Sequence, residues 1–155
     1  MKERKLNNNK ATKTVMSIVR TADVLNRYLE IELAKHGSST ARFAVMNALV
    51  AHGGTMTPTA ISKWIFRAKH SITRLLHFFE SIGFIRREPS RRDGRSVHIT
   101  VTEKGWEATE RMTPIAEDLS QKAISCFDDK QLEILMNLLR HFRKHLFKQI
   151  NNTST

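Results

Sequence analysis

Three arginines surround one glycine in the segment EPSRRDGRSVHIT. They are Arg91, Arg92 and Arg95, and Gly94 precedes the last of them. Guanidinium groups form forked hydrogen bonds to phosphate oxygens, and they are attracted to a narrow DNA minor groove, where the negative potential is deepest. Gly94 suits a tight turn, and the Asp93 carboxylate can aim an arginine by accepting its hydrogen bonds. The segment therefore has the chemistry of a nucleic-acid contact, with a hairpin kept soluble by its charge as the alternative.

A second group of polar side chains belongs to residues 68–82. Apolar residues such as Ile72, Leu76 and Phe79 recur there at helical spacing, so the polar residues between them should face outward. Arginine forks onto guanine acceptors, threonine offers a hydroxyl or methyl group, and residues at the start of the helix reach phosphates or bases. The predicted DNA contacts of this helix are Lys69, His70, Ser71, Thr73, Arg74 and His77. A plain solvated helix face is the alternative.

The remaining reactive residues form no pattern typical of catalysis. His141 and His145 stand four residues apart, but the segment HFRKH is basic and has no adjoining acid or cysteine, so we predict no metal site. Cys126 is the single cysteine and cannot form an intrachain disulfide, which fits a reducing compartment. Because no Ser-His-Asp order, glycine-rich phosphate loop or carboxylate pair emerges, we expect neither an enzyme nor a cofactor.

The charge of the chain points to a polyanionic partner. Its 155 residues include 26 Lys and Arg against 15 Asp and Glu, which gives a net charge of +11. A membrane surface is disfavoured because there is no lipid-anchor motif, no basic amphipathic segment is evident and no apolar run approaches a membrane span. The N-terminus, MKERKLNNNKATK, lacks the apolar centre of a signal peptide. We therefore expect a cytoplasmic, globular protein that binds double-stranded DNA and no membrane.

The elements that must position these residues are mainly helical. The spacing predicts helices from Thr12 to Lys35 and from Thr40 to Ala51. Thr57 and Pro58 are typical of the cap and first position of a short third helix. Residues 68–82 form the fourth, and Gly83 suits its left-handed stop. A short helix, a turn and a longer amphipathic helix make a helix-turn-helix.

Beyond Gly83 the period of the apolar residues changes. GFIRRE and SVHITVT are short, partly alternating runs, and they predict two strands of a β-hairpin. Helical spacing returns from Thr102 to about Phe127, with a bend expected near Pro114. Asp128 and Asp129 then cap a last helix that runs to the C-terminus. The predicted fold is mainly α with a small β-hairpin, a winged helix-turn-helix between two helical arms.

With this order of elements, the chain resembles the MarR family (multiple antibiotic resistance regulators) of transcription factors. The resemblance covers essentially the whole chain and is most specific in the block HSITRLLHFFESIGFIRREPSRRDGRSVHITVTEKG. That block holds the recognition-helix-like ITRLL, ESIGFIRRE leading into a strand, a wing with Asp-Gly-Arg, and ITVTEKG entering the next helix. The chain departs from many members at Phe66, where they have glycine, and at Ala68, where they have a capping Ser or Thr.

The resemblance organises the chain as follows. We expect a flexible basic tail at 1–11, one MarR-like domain at 12–150 and a polar tail at 151–155. Within that domain, 12–36 and 103–150 are dimerisation arms, and 40–101 is the winged helix-turn-helix with its wing at 84–101. The expected function is a homodimeric repressor on a pseudo-palindromic operator, and proteins that resemble this one often release DNA when they bind a small aromatic or phenolic ligand. Candidate residues lining a ligand pocket are His36, Phe43, Met46 and Trp106, with core packing as an equally good explanation of the three apolar ones.

Two other functions are compatible with the same charge. A sequence-tolerant DNA-coating or architectural protein would bind with steep salt dependence and little preference among sequences. A protein-interaction module that has lost DNA contact is the weaker alternative, because the predicted outward face of the fourth helix is basic.

Overall fold

The computed structural model describes residues 9–66, 68–89 and 97–153, apart from the side chains of residues 69 and 153. These residues form six helices and three strands. In chain order they are α1 (Lys10–Ala34), α2 (Thr40–Ala51), β1 (Thr55–Met56), α3 (Pro58–Trp64), α4 (Lys69–Ser81), β2 (Ile85–Pro89), β3 (Val97–Val101), α5 (Glu103–Ile124) and α6 (Asp129–Thr153). The predicted fold class is confirmed. The bounds of α2 agree with the prediction, whereas α1 begins two residues before the predicted start.

Local capping chemistry explains where several helices begin. Thr57 accepts a hydrogen bond from Ala60 N at 3.2 Å, and Pro58 occupies the first turn of α3, as predicted. At the start of α6, Asp128 Oδ1 accepts from Gln131 N at 2.8 Å and Gln131 Oε1 accepts from Asp128 N at 3.0 Å. This reciprocal pair is a capping box, and it satisfies two backbone donors that the helix itself cannot.

The three strands form one antiparallel sheet in the order β1-β3-β2. Strand β3 pairs with β2 from Ile85 opposite Val101 to Pro89 opposite Val97. Its other edge pairs with the two residues of β1. The sequence predicted only the hairpin and missed β1. The sheet contacts α2, α3 and α4.

The core lies under the helix-turn-helix and the sheet. Its fully buried side chains include Leu49 of α2, Ile61 of α3, Ile72 and Leu76 of α4, and Ile99 of β3. Helix α2 contributes Val45, Met46, Ala48 and Leu49, so it lies in the interior. The buried positions fix which side of α4 faces outward.

The chain divides into two compact units, Met1–Leu119 and Ser120–Thr155. In the first unit, Glu30 of α1 joins α2 by accepting hydrogen bonds from Thr40 N at 2.8 Å and from Thr40 Oγ1 at 2.6 Å. Most of α1 exposes apolar side chains, Val24 at 69% among them. In the second unit α6 does the same, with Leu138 exposed at 64%. Within the described residues, no helix is long and apolar enough to cross a membrane.

Candidate nucleic-acid interface

Helix α4 has one buried and one exposed side. Ile72, Leu76 and Phe79 point into the core, with at most 3% of their surface exposed. The opposite side is exposed and carries four of the residues predicted to contact DNA: His70, Thr73, Arg74 and His77. Ser71 is half-buried, and the side chain of Lys69 lies outside the described residues. Hydrogen-bond donors, a hydroxyl and a cation are thus arranged along one accessible helix face, and their role in binding DNA stays a prediction.

The turn that leads into α4 departs from ordinary L-residue geometry. Phe66 has a φ of 52°, in the left-handed region, at the position where many MarR-family members have glycine. A side chain there costs about 1 to 2 kcal/mol because its Cβ approaches the following carbonyl. Ala68 is the N-cap of α4, and no side chain caps the helix there. The helix-turn-helix therefore forms without the glycine and without the capping Ser or Thr that many MarR-family members have in this turn.

The base of the hairpin is bound to α4 by an ion pair. Arg87 Nε of β2 donates to Glu80 Oε2 at 2.9 Å, and His77 Nδ1 lies 4.0 Å from the same oxygen. Arg87 is half-buried, and its Nη2 is buried with no hydrogen-bond partner among the described residues. Sequence reasoning assigned Glu80 no role. An acid near the end of the helix and a cation in the following strand, seven residues apart across a glycine turn, are the signal that could have identified the pair.

The neighbouring Arg86 has a different environment. Its Nε lies 2.6 Å from Glu88 Oε1, and both side chains are more exposed than those of the Arg87 pair. Glu88 Oε2 accepts a hydrogen bond from Thr100 Oγ1 at 3.2 Å. This pair therefore ties β2 to β3, whereas the Arg87 pair ties β2 to α4.

The arginine-rich segment lies outside the described residues. Arg91, Arg92 and Arg95, with Asp93 and Gly94, fall within 90–96. The paired residues Pro89 and Val97 flank this segment. The hairpin ladder therefore joins the two ends of the segment, as the wing prediction requires, and the minor-groove role of the arginines stays a prediction.

The four candidate pocket residues have different environments. Met46 is buried in the core cluster, and Trp106 packs against that cluster. A Cβ at Gly54 would lie 2.8 Å from Trp106 Cζ2, so the indole lies directly on the backbone there. Phe43 is half-buried on α2, and His36 is exposed in the turn after α1. Packing accounts for Met46 and Trp106, and a ligand-binding role for any of the four stays a prediction.

The C-terminal half of α6 is cationic. A shallow groove of about 450 Å³ follows one face of the helix and is lined by Arg140, Arg143, Lys144, Phe147, Lys148 and Asn151. Cys126 is exposed and unpaired in the turn before α6. Over the described part of the chain, no cluster of three or more His, Cys, Asp or Glu side chains could hold a metal ion.

The chain is similar in sequence to curated bacterial regulators. No family model matches it. The HTH-type transcriptional regulator PecS of Dickeya dadantii is 25% identical over 138 residues, which cover 88% of this chain and 81% of PecS. The HTH-type transcriptional regulator PrsX of Escherichia coli is 28% identical over 120 residues, or 77% of this chain. The match spans 65% of PrsX, slightly less than two thirds of its length.

Solved structures give the fold. AbsC, a MarR family transcriptional regulator from Streptomyces coelicolor, has a TM-score of 0.79 at 19% identity, covering 88% of this chain and 94% of AbsC. A mutant of Escherichia coli MarR complexed with operator DNA has a TM-score of 0.76 at 22% identity, covering 86% and 96%. Bordetella bronchiseptica BpsR, whose DNA binding is regulated by 6-hydroxynicotinic acid, has a TM-score of 0.77 at 18% identity, covering 84% and 98%. The predicted resemblance is confirmed, and the chain has the winged-helix fold of the MarR family of transcriptional regulators.

Proposed function

We propose that this protein is a sequence-specific regulator of transcription that binds double-stranded DNA through α4 and the wing. The observation that carries the proposal is the exposed row of Thr73, Arg74 and His77 opposite the buried Ile72 and Leu76. Such a helix enters a major groove with its polar side chains against base edges. A mutant of Escherichia coli MarR, which shares the fold, forms a complex with operator DNA.

The proposed assembly is a homodimer on a pseudo-palindromic operator. The exposed apolar side chains of α1 and α6 support it, because an isolated chain would leave that surface in water. Two-fold symmetry of the protein imposes two-fold symmetry on the site, with half-site centres about 10 bp apart. Repression is the proposed mode, since occupying a promoter requires nothing beyond binding. The function requires no cofactor and no catalysis.

A small aromatic or phenolic ligand is the proposed effector. The support is BpsR, whose DNA binding is regulated by 6-hydroxynicotinic acid. His36, Phe43, Met46 and Trp106 are the proposed lining residues in this chain. The test is a titration of the protein–operator complex with 6-hydroxynicotinic acid. Release of DNA by wild type but not by His36→Ala supports the effector site, and unchanged binding at saturating ligand rejects this compound.

The test of the DNA-binding function is selection of duplexes from a random pool at about physiological salt. The affinity for the best site is then measured for wild type, Arg74→Ala and Arg95→Ala. Lys130→Ala is the control, since it removes one exposed cation of α6. We expect a two-fold motif and losses of about 1 to 3 kcal/mol for the two arginine variants. Arg74→Ala also relaxes the sequence preference, whereas Lys130→Ala retains both affinity and preference.

Two outcomes would overturn the proposal. Salt-sensitive binding without an enriched motif indicates the DNA-coating alternative. If no duplex binds, or if wild type and both arginine variants bind equally, then α4 and the wing do not recognise DNA.

A further inference from the structure

Three consecutive carbonyls just after α4, those of residues 82–84, accept hydrogen bonds from Thr102 and Lys104 at the junction of β3 and α5. Lys104 Nζ donates to Ile82 O at 2.9 Å. Thr102 Oγ1 donates to Gly83 O at 2.6 Å, and Thr102 N donates to Phe84 O at 3.0 Å. The C-cap carbonyl of Ile82 and the carbonyls of the turn beyond it have no partner within the helix, so donors from elsewhere must satisfy them. The segment Thr-Glu-Lys-Gly, residues 102–105, supplies those donors.

The Thr102 hydroxyl forms hydrogen bonds both to the turn after α4 and to the first turn of α5. It donates to Gly83 O and accepts from Gly105 N at 3.1 Å, so the group that caps α5 also holds the turn after α4. Gly105 is buried, and a Cβ there would lie 2.1 Å from Phe84 O. The two backbones therefore touch at this point, and no larger residue fits without displacing one of them.

The Lys104 side chain adds a second attachment on the surface. Its ammonium lies 5.8 Å from the centroid of the Phe84 ring, within the range of a cation–π contact. Lys104 is exposed, and a hydrogen bond at such a site adds little to the free energy of unfolding. Its consequence is geometric, because it joins the first turn of α5 to the C-cap residue of α4.

We propose that Thr102 and Lys104 are positioning residues that set the angle between α4 and α5. The proposal rests on the function proposed above. Within the first compact unit, α5 is helical from Glu103 to Pro114, so an orientation fixed in its first turn is carried at least as far as that proline. In a dimer held together by the helical arms, that angle determines the separation of the two α4 helices. The segment would thus restrict which half-site spacing the protein accepts.

The first experiment varies the operator spacing. Affinities are measured for the selected operator and for operators with one base pair added or removed between half-sites. We define the spacing ratio as the affinity for the selected operator divided by the affinity for an operator with altered half-site spacing. Lys104→Met and Thr102→Val should lower this ratio by about threefold or more, because recognition requires side chains held within narrow limits of position and angle.

Two variants serve as controls for the spacing ratio. Thr102→Ser keeps the hydroxyl, and Lys130→Met removes an equal charge from α6; both should retain the ratio of wild type. A variant that is merely less stable lowers all affinities together and leaves the ratio unchanged. A wild-type ratio in both Lys104→Met and Thr102→Val would therefore overturn the proposal.

The second experiment requires no DNA. Nitroxide labels at Thr73 on α4 and Glu117 on α5, in a Cys126→Ser background diluted with unlabelled protein, report the distance distribution between the helices. The distribution should broaden in Lys104→Met and Thr102→Val and stay narrow in Thr102→Ser. If wild type selects no DNA motif, the proposed function is wrong. The distance distribution still tests whether Thr102 and Lys104 set the angle between α4 and α5. Unchanged distributions in both variants would overturn it.

Discussion

Arg87 Nε of β2 lies 2.9 Å from Glu80 Oε2 of α4, so the hairpin and the exposed helix are held together by an ion pair at their junction. The arginine is 30% exposed, and in the part of the chain that the structure describes its Nη2 is buried without a hydrogen-bond partner. Removing Glu80 would leave a half-buried cation with still fewer partners, and such a loss costs more than a solvated pair contributes. The pair makes the base of the wing a fixed extension of α4.

Glu80→Ala should lower the free energy of unfolding by about 1 kcal/mol, because it leaves Arg87 without its carboxylate. Arg86→Ala is the matched control: its partner Glu88 is more exposed, so the loss should stay below about 0.5 kcal/mol. Urea denaturation of both variants measures the difference. Equal losses would show that the junction pair is no stronger than an ordinary surface pair.

Phe66→Gly should be more stable than Phe66→Ala by about 1 kcal/mol. Both variants lose the ring, but only glycine relieves the left-handed backbone at a φ of 52°. Thermal unfolding of the two variants side by side isolates the backbone contribution. An alanine variant as stable as the glycine variant would mean that the turn carries no strain.

Gly105→Ala should destabilise the protein by about 3 kcal/mol, since its Cβ would meet Phe84 O and Val101 Cγ1 at 2.1 and 2.8 Å. Gly53→Ala is the control. Its φ is +72° with nothing within 4 Å, so only backbone strain of about 1 kcal/mol is expected. Chemical denaturation should therefore rank Gly105→Ala as the more damaging change, and the reverse order would contradict the close contact.

Leu138→Glu should shift the proposed dimer to monomer in sedimentation equilibrium, because it places a charge at a position whose side chain is 64% exposed in the single chain. Asn137→Glu introduces the same charge at the adjacent exposed position and should leave the dimer intact. If wild type is a monomer at micromolar concentration, the exposed apolar side chains of α1 and α6 do not form a dimer interface.

Lys69→Ala should reduce the slope of log affinity against log salt concentration by about 0.9, as expected for one lost phosphate contact. Lys130→Ala changes the net charge equally and should leave the slope unaltered. Fluorescence anisotropy over a salt series distinguishes the two. Parallel shifts in both variants would indicate a general charge effect without a local phosphate contact.

The local signals in the sequence identified the helices well. Thr57 followed by Pro58 marked the start of α3, and Gly83, with a φ of +76°, stops α4 as predicted. The short strand β1 was missed because two residues, Thr55 and Met56, have no periodicity of their own. They form a strand only because β3 offers a free edge.

The long-range contacts were less accessible from the sequence. Periodicity identified the exposed residues of α4 but could not show that Arg87, one of two adjacent arginines, would pair with Glu80. The hydrogen bonds of Thr102 and Lys104 to the end of α4 join residues about twenty positions apart. Such pairs depend on how the elements pack, and a single sequence carries no periodic trace of them.

The sheet order β1-β3-β2 leaves two edges that resist further strand pairing. One edge is only two residues long, and the other carries Arg86, Arg87 and Glu88 and ends at Pro89, which has no backbone donor. Short, charged and proline-terminated edges are the features by which natural sheets avoid recruiting strands from other molecules. Edge-to-edge aggregation through the described strands is thereby disfavoured, and we expect lasting contact between copies of this chain to form through side chains on its helices.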